Sequence, residues 1–374
     1  MNPDENPGAL PPPEARSREP VPPDFSTQKF VAGMLLIAGL AVAGVAVAVA
    51  GRGGWDAFRS GANPDLKMLA LASGLMLVDI WLGGLRVHHL AHRLVSKLTL
   101  GDGLRADLAN RCLAGITPWQ TGGGAAQIYI LARAGLPLSS GVAVGTINFL
   151  VSTIVLVLFG FIGLPLVHDK LPGWVQASAQ ITLWLLVAIL IGGVLAIIFS
   201  KHKRRTNTHD GRIRRWLQRA FEFTTRSLET SRRLMLVHRS SVIRVFPITV
   251  ALFLTKLGYT WAVFRAFEPE GFVSEMIGVA VILVLALNFA PTPGGSGVVE
   301  GGATAYLAGA LPAASAAGIV VYWRLLTAYL PVVIGGLILL AQLRRDSQRV
   351  GRSRSSGGGS NAETGSSTGG SGGD

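Results

Sequence analysis

Cysteine is almost absent from this sequence. Cys112 is the single one in 374 residues, so no intrachain disulfide can form. Charge is sparse as well, at 15% of residues, and it leans one way, with 21 Asp and Glu against 34 Lys and Arg. There is no phosphate-binding loop, no Ser-x-x-Lys, no zinc-protease motif and no paired acidic motif of a lipid glycosyltransferase. ATP-driven work within the chain is therefore unsupported, and no cofactor is expected. His88 and His92 have the i, i+4 spacing of metal ligands, with His89 beside them. No Cys, Asp or Glu adjoins them, so they read as a polar collar and no metal is expected.

What the sequence has in quantity is apolar residues, 49% of the total. They gather in runs of about twenty, the length that crosses roughly 30 Å of hydrocarbon. The expected fold class is an all-α polytopic membrane protein. Spans are predicted at 30–50, 68–85, 142–167, 175–199, 246–267, 272–289 and 318–343. Trp55, Trp81, Trp174, Trp261 and Trp323 fall near the ends of these runs and read as interfacial anchors. The domain plan is a Pro-rich disordered tail at 1–29, a membrane domain at 30–343, and a basic, then Gly/Ser-rich, tail at 344–374. The first tail does not read as a signal peptide, because no short basic segment leads an early apolar run.

The formal net charge of +13 would otherwise hint at nucleic acid, but it falls mostly in loops, where Lys and Arg set orientation. The segment 201–244 holds thirteen Lys or Arg against three acids and is expected in the cytoplasm. The segments 86–111 and 344–354 are also basic. With the Gly/Pro-rich stretch near 288–302 and the short run 303–311 forming one broken crossing beside the seven spans, these charges predict about eight crossings of the cell (inner) membrane, with both termini cytoplasmic. Within the loop 201–245, Ile213, Trp216, Leu217, Ala220, Phe221, Thr224 and Leu228 follow helical spacing. Arg212, Arg214, Arg215, Arg219 and Arg226 fall largely elsewhere on the wheel. This pattern describes an amphipathic helix drawn to anionic headgroups of the cytoplasmic leaflet. A charged helix packed on the protein's own spans is the alternative. Membrane lipids, and not nucleic acid, are the expected partners; the oligomeric state is not indicated.

Two stretches break the apolar pattern. Residues 288–302 read N-F-A-P-T-P-G-G-S-G-V-V-E-G-G. Pro291 and Pro293 remove backbone donors, while Gly294, Gly295 and Gly297 permit shapes that other residues resist. At membrane depth such backbone survives only where protein or a watery cavity satisfies it. Glu300 sits inside the stretch, where a carboxylate needs a partner or a job. Residues 110–135 show the same order: Thr117-Pro118, the glycines Gly122, Gly123 and Gly124, polar Gln127, then a short helix with Tyr129. Paired Gly/Pro-broken segments of this kind point to a transporter-style site built from discontinuous helices.

The motif T-P-W-Q-T-G-G-G-A-A-Q-I-Y-I-L-A-R-A-G, followed far downstream by P-T-P-G-G-S-G-V-V-E-G-G, resembles the flippase-like transmembrane region of lysylphosphatidylglycerol synthases. Arg324, early in the last span, matches a third feature of that family. The resemblance covers most of 30–343. It implies a bacterial or archaeal membrane protein that moves lipids, or lipid-linked molecules, between leaflets. Bifunctional members carry a further C-terminal domain that attaches lysine to phosphatidylglycerol. This chain shows a Gly/Ser tail there, so it is not expected to be the synthase. Many relatives also carry a Glu where this chain has Gly124, which leaves Glu300 as the main acidic candidate.

The candidate site therefore comprises Glu300, Arg324 and Gln127, with Thr117, Gln120, Asn288 and Arg111 as further binding groups. Glu300 is expected to pair with Arg324, and Asp79 with Lys256. Lys256 and Arg265 read as structural or snorkelling charges. The leading reading is a lipid flippase or transporter with no catalytic residues. A membrane enzyme acting on a lipid-linked substrate, built on Glu300, and a non-transporting membrane partner are the other two. The topology has a direct check: a compartment-sensitive reporter fused after Arg354 should be active on the cytoplasmic side, and activity on the outer side alone would sink the eight-crossing plan.

Overall fold

The computed structural model describes residues 64–117, 120–167, 173–199, 225, 227–237, 239–268, 292–295, 307, 311 and 313–357. Every regular element among them is helical. Helix α1 (Leu66–Leu94) is followed by α2 (Leu100–Ile116), α3 (Gly122–Arg133), α4 (Leu138–Val167), α5 (Gly173–Phe199) and α6 (Arg239–Phe267). After a short 3-10 turn at Pro293–Gly295 come α7 (Ala313–Arg324), a π-helical turn (Leu325–Tyr329) and α8 (Leu330–Gly357). Helices α1, α4, α5 and α6, and the rod from Gly318 to Asp346, are long and apolar enough to cross a membrane. The chain is a polytopic helical membrane protein. The spans expected at 68–85, 142–167, 175–199, 246–267 and 318–343 coincide with these five; those at 30–50 and 272–289 lie outside the described residues.

Local sequence sets the helix ends. Asp65 caps α1 by accepting from the Lys67 amide at 2.8 Å. The Asp65 amide in turn donates to Ala266 O at 2.8 Å, which fastens the start of α1 to the end of α6, so these two long helices run antiparallel side by side. Thr99 and Asp102 form a reciprocal capping box at the head of α2. Helix α3 stops in a Schellman motif: Gly135 takes φ +100, its amide donates to Ala132 O, and the Leu136 amide reaches Leu131 O at 3.0 Å.

The surfaces divide by polarity as a membrane requires. Leu77 and Trp81 on α1, Phe161 and Ile162 on α4, Trp184 on α5, Leu254 on α6 and Leu337 on α8 are exposed, which in lipid is the favourable state. Helix α2 has the opposite character. It carries Asp102, Arg105, Asp107 and Arg111 and is not among the helices long and apolar enough to cross a membrane, yet it lies buried against α1, α3 and α8. Its apolar side, including Ala109, Cys112 and Leu113, forms a core with Val87 of α1, Leu131 of α3, Val144 of α4 and Val332 of α8.

Several expectations change here. The segment 86–111 is not a basic loop: it forms the end of α1 and most of α2, and Arg86 and Arg111 lie inside the protein. Trp81 sits near the middle of α1, and Trp323 is 1% exposed with its Nε1 donating to Thr260 Oγ1 at 3.0 Å, so neither anchors an interface. The last span is not one uniform helix, because a π-helical turn interrupts it. The Arg-rich part of the amphipathic pattern, 212–219, lies outside the described residues. Its downstream end does not lie free on a surface: Ser227, Ser231 and Leu234 are buried, Leu234 within the core around α2.

Close helix approach makes α2 sensitive to single atoms. A Cβ on Gly335 of α8 would fall 2.1 Å from Leu108 O and 2.8 Å from Cys112 Cβ, so α8 can lie this close to α2 only with glycine there. Gly335→Ala should cost about 1–3 kcal/mol through overpacking. Gly74→Ala, where nothing lies within 4 Å, should leave stability unchanged or raise it by up to about 1 kcal/mol. Thermal unfolding of the two purified variants separates them; equal midpoints would refute the packing argument.

Candidate functional site

Asp79 stands near the middle of the 29-residue α1, far from either end. A bare carboxylate there would be costly, and the structure meets it with two cations. Arg111 of α2 donates through Nη1 to Asp79 Oδ2 and through Nη2 to Asp79 O. Lys256 of α6 places its Nζ 3.1 Å from Asp79 Oδ1, an ion pair rather than an aligned hydrogen bond. The expected pairing of Asp79 with Lys256 is therefore present, with Arg111 added to it. Arg111 also donates through Nε to Asp107 Oδ2 at 2.7 Å, one helical turn back on α2. Glycine makes room for this arrangement, since a Cβ on Gly83 would strike Asp107 Oδ2 and Arg111 Nη2.

A cavity of about 260 Å³ opens beside these charges. Arg86 of α1, Asp107, Asn110 and Arg111 of α2, Ser152 of α4, and Lys256 and Tyr259 of α6 supply its polar wall. Gln120, Gly294 and the π-turn residues Thr327 and Ala328 close it. Both broken stretches therefore meet at one place. The contact is tight: Gly294 takes φ +58, and a Cβ there would lie 2.8 Å from Gly115 O. Lys256, read from sequence as a structural or snorkelling charge, is part of the cavity wall.

The sequence-predicted site residues divide into three groups. Arg111, Gln120 and Gly294 line the cavity, and Gln120 does so with a φ of 56 that few non-glycine residues adopt. Arg324 is 1% exposed behind this wall and donates through Nη2 to Gly294 O at 2.9 Å, so it braces the second broken stretch. Gln127 and Thr117 are not in the lining. Gln127 packs under α2 and accepts from Asn110 Nδ2 at 2.8 Å. The Thr117 hydroxyl donates to Leu113 O at 2.7 Å and accepts from the Gly122 amide at 2.8 Å, which closes the turn between α2 and α3. Gly123 packs against Asn110, whereas Gly124 faces open space. Pro293 and Gly295 belong to the 3-10 turn. Glu300, Asn288, Pro118, Pro291 and Gly297, and with Glu300 its pairing to Arg324, lie outside the described residues.

Arg86, Asp107, Asn110, Ser152, Tyr259 and Thr327 are polar lining residues that sequence reasoning missed. One signal was available: Asp107 and Arg111 stand at i, i+4, the spacing of an intrahelical ion pair. Their polar setting disguised the helix as a loop. A second charged group lies at the far end of α3, away from the cavity. Tyr129 donates to Asp346 at 2.5 Å, and Arg133 Nε lies 2.9 Å from the same carboxylate. Burial and this hydrogen bond push the Tyr129 phenol up to about 12, so the phenol keeps its proton near neutrality and its hydrogen bond ties α3 to α8.

The family model for the lysylphosphatidylglycerol synthase TM region matches residues 36–335. Every residue of the cavity lining falls within that match. Among curated proteins, none matches the chain.

The ion cluster sets a rank order of stability. Arg111→Met removes the shared partner of Asp79 and Asp107 and should cost about 3–5 kcal/mol, as breaking a buried pair does. Lys256→Met should cost less, because Arg111 still neutralises Asp79. Chemical or thermal unfolding of both variants in detergent reads the order, and a Lys256 variant less stable than the Arg111 variant would contradict it.

Proposed function

The chain belongs to the lysylphosphatidylglycerol synthase TM region family, and from that premise we propose that it moves a lipid, or a lipid-linked molecule, between leaflets without altering it chemically. One observation carries this reading: a charged cavity among the spans, walled by residues from both broken segments. Its volume, about 260 Å³, is near the low end of the roughly 300–1,000 Å³ typical of small-molecule sites. That suits a headgroup whose acyl chains stay outside. A headgroup leaving water loses its hydration, and fixed charges and backbone dipoles can replace what it loses. Arg111, Lys256 and Asn110 supply such groups, and Gln120 and the 3-10 turn at Gly294 supply backbone polarity beside them. Glu300 and Asn288 remain proposed as further headgroup contacts. In this reading the partners are membrane lipids, and both termini and the basic loop face the cytoplasm.

The test is leaflet exchange of a fluorescent phospholipid in vesicles holding the purified protein. Wild-type protein should accelerate exchange and return the lipid with unchanged mass. Ala328→Phe places a ring in the cavity without touching a charge and should slow exchange at least about ten-fold, with an unfolding midpoint close to that of the wild type. Full exchange by this variant would exclude the cavity from the route. A new lipid product would favour the enzymatic reading instead.

A further inference from the structure

Among the described residues around the cavity, cations outnumber carboxylates: Arg86, Arg111 and Lys256 face Asp79 and Asp107. The surplus has an address. Arg111 is joined to both carboxylates and Lys256 to Asp79. Among the described residues, no carboxylate comes within 4 Å of Arg86. Its Nη1 donates to Ser152 Oγ at 2.5 Å, and its Nε is enclosed without a hydrogen-bond partner. A neutral hydroxyl cannot compensate a guanidinium within the spans, so this cation is held there at a cost. The guanidinium fork matches phosphate oxygens in geometry as well as charge.

We propose that Arg86 is the anchor for a phosphate-bearing anion that enters this cavity, with Lys256 as the second cation beside it. The proposal rests on the cavity being the headgroup site. It names the class that site takes: a phosphate carrying net negative charge, whether on a lipid or free, in preference to a cationic headgroup. A cationic headgroup would meet like charge at Arg86 and add to the imbalance. The anion supplies a negative charge facing the guanidinium, which the Ser152 hydroxyl alone does not provide.

Ligand-dependent thermal stability of the purified protein in detergent tests this, with three probes. These are inorganic phosphate, phosphatidylglycerol, and a trimethylammonium lipid with the same acyl chains and no phosphate. Phosphatidylglycerol should raise the unfolding midpoint, and the trimethylammonium lipid should not. Stabilisation by inorganic phosphate as well would show that the free anion suffices; stabilisation by the lipid alone would assign the site to the lipid headgroup. Both support the anchor.

Arg86→Gln should weaken phosphatidylglycerol binding at least about ten-fold. Arg86→Lys, which keeps the charge and loses the fork, should recover part of it. A merely structural arginine would lower the lipid-free midpoint on removal. An anchor held without its anion predicts the opposite, a lipid-free midpoint of Arg86→Gln at or above that of the wild type. Unchanged binding by Arg86→Gln, a preference for the trimethylammonium lipid, or collapse of both variants without lipid would overturn the proposal. The transport reading fails separately. Arg86-dependent binding without leaflet exchange would refute transport and leave the anchor standing, and exchange unaffected by Arg86→Gln would do the reverse.

Discussion

The structure depends on how Asp79 is neutralised in the middle of α1. Arg111 reaches it from α2, and that reach requires a polar helix to lie inside a bundle of apolar ones. The cost of burying ions is offset only when geometry and hydrogen bonding are complete. Arg111 meets that condition, with Asp79 Oδ2, Asp79 O and Asp107 Oδ2 all accepting from it. Gly83 and Gly335 then follow as consequences, because helices on either side of α2 must approach within the space a methyl group would fill.

Holding α2 at this depth also decides where the chain can be irregular. Gly115 sits at the end of α2 and meets Gly294 of the second broken stretch. Arg324 braces that stretch through the Gly294 carbonyl, and the π-helical turn begins at the next residue. Widened turns of this kind free backbone groups and often mark functional positions. Thr327 and Ala328 of the turn face the cavity, so the distortion coincides with the proposed site. Arg324 and Thr117 act on this site through backbone they hold, while Arg111, Lys256 and Arg86 face the cavity directly.

Much of this architecture was legible in the chain, for identifiable reasons. Apolar runs near 142–167, 175–199 and 246–267 are long because hydrocarbon is thick, and nothing else in a protein requires such length. The two Gly/Pro stretches announced broken backbone, and the Asp79–Lys256 pair could be inferred because two lone charges in separate spans need one another. Arg86 and Asp107 could not be read in the same way. Each lies where an apolar run gives way to mixed polarity, and there a loop, a helix end and a buried polar helix look alike.

By itself the sequence determined that the chain crosses a membrane several times as helices, that its backbone breaks twice, and that Asp79 and Lys256 need one another. These are properties of composition and local spacing, and the solvent enforces them residue by residue. Only the tertiary structure decided that α2 is buried, that the two breaks meet, and that Arg111 rather than Lys256 alone satisfies Asp79. It also decided that Gln127 and Thr117 hold the frame while Arg86 faces the cavity. Those outcomes turn on distances between residues far apart in the chain. In lipid, where apolar surface does not drive helices together, such distances are set by close packing at glycines and by the pairing of buried charges.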